Sequence, residues 1–153
     1  MSVSRRFSRV TLVVCVMLLT AAVASEASHL KEFPGKHRIV YQLADAGNDR
    51  AKFVLGNLRN HVRGVGSQNI EAVELVVFGP ALKSFVAKTM DPEVRQMLEV
   101  LQTQGVTFAA CGNTMKNFNI TLEELPDGTK TLPQGGVVRI MELEDAGYRY
   151  IRP

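Results

Sequence analysis

Cysteine is scarce in this chain, and the shortage is informative. One of its two cysteines, Cys15, lies inside an N-terminal apolar run, which leaves Cys111 alone in the rest of the sequence. Read as a removable export signal, that run sends a lone thiol into an oxidising compartment, where it has no intrachain partner. Three fates are then open to Cys111: inert burial, pairing with another chain, or retention for its reactivity. Other absences remove whole classes of function. No Lys/Arg run with interleaved aromatics is present, which argues against nucleic-acid binding. His29, His37 and His61 lack metal-ligand spacing, and there is no Ser-His-Asp pattern, Walker loop or G-x-G-x-x-G fingerprint. Neither a metal nor a cofactor is expected. Repeats and low-complexity segments are also missing.

Residues 1–24 have the layout of a secretory signal peptide. Arg5, Arg6 and Arg9 form a basic start without an acidic residue, residues 10–19 are almost continuously apolar, and Ala22-Val23-Ala24 has small residues at the cleavage spacing. The apolar run is shorter than the ~20 residues needed to span a bilayer. A membrane anchor is therefore disfavoured, and no membrane association is expected after cleavage. Val14 before Cys15 departs from a lipoprotein signal, and Phe7 directly after Arg5-Arg6 departs from a twin-arginine one. The expected destination is across the inner membrane, in the periplasm. The whole chain has 18 Lys and Arg against 15 Asp and Glu, and three of the arginines are in this leader. The remainder is thus neutral, and the net charge of +3 reports targeting rather than a basic surface. Residues 25–35 read as a polar lead-in and 36–153 as one domain, large enough to bury about two-thirds of its unfolded surface.

Within that domain, strand-like and helix-like periods alternate. Residues 38–43 are β-branched and aromatic, as in a buried strand. Over 48–63, Ala51, Leu55, Leu58 and Val62 fall on one helical face, and Gly64 and Gly66 end the helix. A second strand is predicted at 73–78, closed by Gly79-Pro80. Asp91 is a natural N-cap, Pro92 suits the first helical position and Glu93 favours the positive helix end. Val94, Met97, Leu98 and Leu101 form the stripe of that helix, which Gly105 stops. Residues 106–110 read as the third strand and run straight into Cys111. Thr121 with Glu124 matches a capping box, and Pro126-Asp127-Gly128 a turn. Residues 136–146 are predicted helical, with Val137, Ile140 and Met141 on one face, followed by a last strand at 148–151. Such strand–helix–strand units need crossovers. The expected fold is α/β: a single three-layer domain whose mostly parallel sheet of about five strands is flanked by helices on both faces.

Ligands of open α/β sheets bind beyond the carboxyl ends of the strands. Those ends hold Asp45, Gly79 and the run Cys111-Gly112-Asn113-Thr114, so these six residues are the candidate site. If Asn113 or Thr114 caps a short following helix, the Cys111 sulfur lies near its positive end, which favours thiolate over thiol. Lys116 is a further source of positive charge. Asp45 is a candidate base, although aspartate is also a common turn residue. Free cysteine is equally one of the most buried residue types, so Cys111 as packing stands beside Cys111 as nucleophile. Asn119-Ile120-Thr121 is formally a glycosylation sequon.

Several of these stretches carry a resemblance. The strand at 38–43, Leu55-Gly56-Asn57-Leu58-Arg59-Asn60, Val76-Val77-Phe78-Gly79-Pro80, the run from Gly105 to Met115 and the ending Gly147-Tyr148-Arg149-Tyr150-Ile151-Arg152-Pro153 are together similar to the DsrE/DsrF-like family, in an exported branch. The resemblance spans about residues 36–153. It implies a small α/β fold that assembles as a homo-oligomer, a trimer or hexamer. In the sulfur-relay members a cysteine after a central strand carries a persulfide and passes sulfane sulfur to a partner protein, a role that here falls to Cys111. A sulfur donor or acceptor protein is then the implied partner. Relay members act in the cytoplasm, so an export signal points away from tRNA thiolation. The alternative function is a non-catalytic periplasmic module that binds a small ligand or another protein.

Overall fold

A computed structural model describes residues 35–153. The expected signal peptide and all but the last residue of the lead-in lie outside them. Strand β1 (His37–Leu43) is followed by helix α1 (Asn48–Val65), β2 (Ile70–Val77), α2 (Pro92–Thr103) and β3 (Val106–Cys111). Then come α3 (Gly112–Phe118), β4 (Lys130–Leu132), α4 (Gly136–Asp145) and β5 (Arg149–Ile151). Short 3-10 turns occupy Ser67–Asn69, Gly79–Phe85 and Leu122–Glu124.

The five strands form one sheet in the order β4-β3-β2-β1-β5, with every pairing parallel. The chain steps across the sheet in one direction from β1 to β4, then returns over it to place β5 beside β1. Right-handed crossovers put helices on opposite faces when the direction of travel reverses. Accordingly, α1 and α2 cover one face and α4 the other. The larger core joins Ile39, Tyr41, Leu43, Leu75, Val77 and Phe108 of the sheet to Val54, Leu55 and Leu58 of α1 and Val94, Leu98 and Leu101 of α2. The smaller one joins Val40, Val76, Ala109 and Leu132 to Ile140 and Leu143 of α4. Three layers therefore follow from one reversal in strand order.

Local signals hold where they are strongest. The Asp91 carboxylate accepts from the N–H groups of Glu93 and Val94 at 2.9 and 3.2 Å, capping α2. Lys52 of α1 then bridges to Asp91 and Glu93 at 3.2 and 2.9 Å, fastening the two helices together. Other signals are weaker. The apolar face of α4 is not the one it buries: Ile140 is buried, but Val137 and Met141 are 67% and 56% exposed. Its inward residues are Gly136, Ile140 and Leu143, an i, i+4, i+7 stripe in which a glycine replaces the first apolar side chain. The short strand β4 had no strand-like period to announce it. The capping box at Thr121 and Glu124 is formed, but it closes a single 3-10 turn.

Candidate functional site

Cys111 is the last residue of β3, an inner strand between β2 and β4, and its backbone pairs with Leu132. Side chains alternate along a strand. Cys111 therefore shares the face of Ala109, which packs towards α4. It is 5% exposed. The chain turns directly from it into α3, so Cys111 itself holds the N-cap position that the sequence reading gave to Asn113 or Thr114. It lacks the short side-chain cap bond that serine or aspartate makes there. Its sulfur instead lies among a hydroxyl and backbone N–H groups.

Those contacts decide its acidity. Burial pushes the Cys111 thiol up, but the Thr114 hydroxyl and the backbone N–H groups of Thr114, Gly136 and Asn113 act the other way and hold it below the ordinary value. The hydroxyl is oriented for this task. The Gly79 N–H donates to Thr114 Oγ1 at 2.8 Å, which occupies an oxygen lone pair and leaves the hydroxyl proton for the sulfur. Thr114 is itself buried.

The segment after β4 closes the site from the other side. A Cβ on Gly112 would stand 2.9 Å from the Leu132 carbonyl oxygen, and one on Gly136 would stand 2.9 Å from Phe78 Cδ1. Both positions need glycine because backbone or ring lies where a side chain would begin. Gly135, at φ 97, lies against the Asn113 amide. Residues 132–136 thus form a strap over the start of α3, and the Gly136 N–H at its end is one of the groups that hold the thiol down.

Of the candidate residues, Gly79, Gly112, Asn113 and Thr114 gather around Cys111, and Asp45 does not. Asp45 follows β1, two strands away, roughly 10 Å at ordinary strand spacing. It pairs with Arg50 at 3.3 Å and with Arg152 at 3.6 Å, and Arg50 also donates to the Pro153 carbonyl. The crevice where the strand order reverses, between β1 and β5, is thus crossed by the chain's own last residues. Lys116 is exposed in the last turn of α3 and is not among the groups that shift the thiol. Sequence reasoning missed Gly135, Gly136 and Phe78. The Gly135-Gly136 pair ahead of an apolar helix was the available signal of close backbone approach. Among the described residues, no three His, Cys, Asp or Glu side chains are grouped to hold a metal ion. None of the described helices is long and apolar enough to cross a membrane.

Fold and site together define a small parallel α/β protein with a hydrogen-bonded thiol at the end of an inner strand. The model of the DsrE/DsrF-like family matches residues 28–153, and the chain belongs to that family. It is similar in structure to a protein of unknown function, MTH1491, from Methanobacterium thermoautotrophicum, with TM-score 0.65 and 25% identity over 77% of this chain and 100% of that one. It is also similar in fold to the ychN protein of E. coli, with TM-score 0.59 and 22% identity over 78% of this chain and 99% of that one. No curated protein matches it.

Proposed function

We propose that this protein is a thiol-dependent sulfur carrier in which Cys111 holds a persulfide. The observation that carries this reading is the set of donors around the sulfur: the Thr114 hydroxyl and three backbone N–H groups favour the thiolate despite burial. A structural cysteine needs no such set. The step is an exchange that balances without an oxidant. The Cys111 thiolate attacks the outer sulfur of a donor persulfide, the new S–S bond forms as the donor's breaks, and the donor sulfur leaves with the electron pair as a thiolate. Delivery is the same step in reverse, with an acceptor thiolate attacking the sulfur held on Cys111. Family membership, which is linked to sulfur relay in general, supports this reading.

Export to the periplasm and assembly into a trimer or hexamer belong to the same proposal. The leader-like residues 1–24 support the first. Exposed Val137, Val138 and Met141 on the outer side of α4 support the second, as apolar residues that a neighbouring copy would cover.

The test is the intact mass of the exported protein, purified without reductant, before and after persulfide-selective alkylation. The expected result is a gain of about one sulfur atom that dithiothreitol removes and Cys111→Ser abolishes. The low exposure of Cys111 favours a second reading, a ligand-binding or interaction module in which the cysteine only lines the site. An unmodified thiol that labels only in denaturant would establish that second reading and exclude the first.

A further inference from the structure

Helix α4 has an arginine, Arg139, in its first turn, where the positive end of the helix disfavours a cation. The residue is held there by β2. Arg139 Nε donates to Glu74 Oε1 at 2.8 Å and its Nη2 to Oε2 at 2.9 Å, a two-point fork. Lys130 of β4 adds a contact to Glu74 Oε2 at 3.2 Å. The Glu74 side chain is only 7% exposed. Burial pushes its carboxyl up, and the bonds from Arg139 with the charges of Lys130 and Arg139 outweigh that and hold it below the ordinary carboxylate value. A buried ion pair is weak evidence for stability, because apolar groups of similar volume often serve as well. Its effect on position is more specific. The Arg139 backbone N–H donates to the Gly135 carbonyl at 3.1 Å and closes the first turn of α4. Arg139 also meets Glu142 at 3.4 Å, and Glu142 accepts from Gln134 at 3.0 Å. The carboxylate on the sheet thus fixes the arginine, the arginine fixes the turn, and the turn and strap, packed on Phe78 and Asn113, hold the Gly136 N–H on the Cys111 side.

We infer that Glu74 and Arg139 are positioning residues for Cys111: their fork sets the first turn of α4 over the end of β3 and so aims the Gly136 N–H at the sulfur. Neither side chain touches the sulfur. The inference rests on the reading of Cys111 as a working thiol and adds what tunes it.

Charge acting through space predicts a different pattern from positioning. The charged groups on the elements packed around Cys111 are Glu71 and Glu74 of β2, Lys116 of α3, Lys130 of β4, and Arg139, Glu142, Glu144 and Asp145 of α4. By Coulomb interaction alone, removing the Glu74 charge favours the thiolate and removing the Arg139 charge disfavours it. Loss of positioning disfavours the thiolate in both cases.

The experiment is the pH profile of the rate at which iodoacetamide alkylates Cys111 in the exported protein, followed by peptide mass. Glu74→Gln and Arg139→Met are each expected to raise the profile's midpoint by about one pH unit, or about tenfold in rate below it. Arg139→Lys keeps the charge but loses the fork, and should fall in between. The double variant Glu74→Met/Arg139→Met removes both charges at similar volume, and so carries the test if a single variant fails to fold; it should show the full rise. Opposite shifts in the two single variants, or an unmoved midpoint in the double variant, would overturn the inference while leaving the sulfur-carrier reading intact. A wild-type midpoint near the ~8.5 of a free cysteine, or labelling only on unfolding, would overturn that reading and this inference with it.

Discussion

Two effects compete at the Cys111 sulfur, and the balance between them can be moved one group at a time. Burial disfavours the charged form, whereas the Thr114 hydroxyl and three N–H groups favour it. Thr114→Val keeps the shape but removes the hydroxyl, which also strands the Gly79 N–H that now donates to it. The variant should raise the midpoint of Cys111 alkylation and lose about 1–3 kcal/mol in denaturant unfolding. Thr114→Ser should restore most of both. Gly136→Ala tests the strap, because the new Cβ would stand 2.9 Å from the Phe78 ring. It is expected to cost about 1–3 kcal/mol by overpacking, and to slow alkylation below the wild-type midpoint, since the N–H moves with the methyl. At this scale the sequence was partly legible. Cys111-Gly112-Asn113-Thr114 is contiguous, so a strand running into a cysteine and glycine pointed to it. Gly136 lies 25 positions from Cys111 along the chain, and only the crossing of the strap over α3 brings it near.

Each layer of elements carries its own dependence on pH. On the α1 side, Tyr41 Oη lies 2.9 Å from His61 Nδ1 between β1 and α1. Burial raises the Tyr41 hydroxyl to about 12. Burial and then the charge of His37 hold His61 below its ordinary 6.5. The unfolded chain therefore takes up a proton at His61 first. Stability is fully present above about 6.5 and declines as pH falls from there towards the folded-state value. On the α4 side, Glu74 sits below its ordinary 4.5, so its contribution is present above that value and lost as pH falls through its folded one. Melting temperature measured from pH 7 to pH 3 should thus fall in two stages. His61→Gln should flatten the upper stage, and Glu74→Gln the lower one. An upper stage that survives in His61→Gln would show that another group controls it. The elements differ in how openly the sequence announced them. Helix α2 was plain from its cap and stripe, because both are local. The inner face of α4 was hidden, because its first buried position is a glycine, which the neighbouring Val137 and Met141 outweigh in a pattern of apolar residues.

For the whole molecule, the outer side of α4 is the exposed apolar surface that bears on assembly. Val137 and Met141 are four residues apart and stand on the same side of the helix, both more than half exposed. A trimer or hexamer is the expected state, to be read by light scattering on the exported protein. The pair Val137→Glu and Met141→Glu should dissociate it into monomers with an unchanged circular dichroism spectrum. A wild-type protein that is already monomeric would remove the oligomer from the proposal. Export is checked by the mass of the mature chain, which should lack residues 1–24.

The sequence by itself determined the alternation of strands and helices, the parallel α/β class, the family and the cysteine at a strand end. Each of these rests on neighbours along the chain: a period of hydrophobic residues, a cap beside its helix, a contiguous motif. Tertiary structure alone decided that β5 returns beside β1, that Asp45 is tied to Arg50 and Arg152 rather than to the thiol, and that Arg139 of α4 forks onto Glu74 of β2 while Gly136 packs against Phe78. These depend on contacts between segments far apart in sequence, where spacing carries no signal. Such contacts form only once the chain reverses across the sheet and lays α4 on its second face.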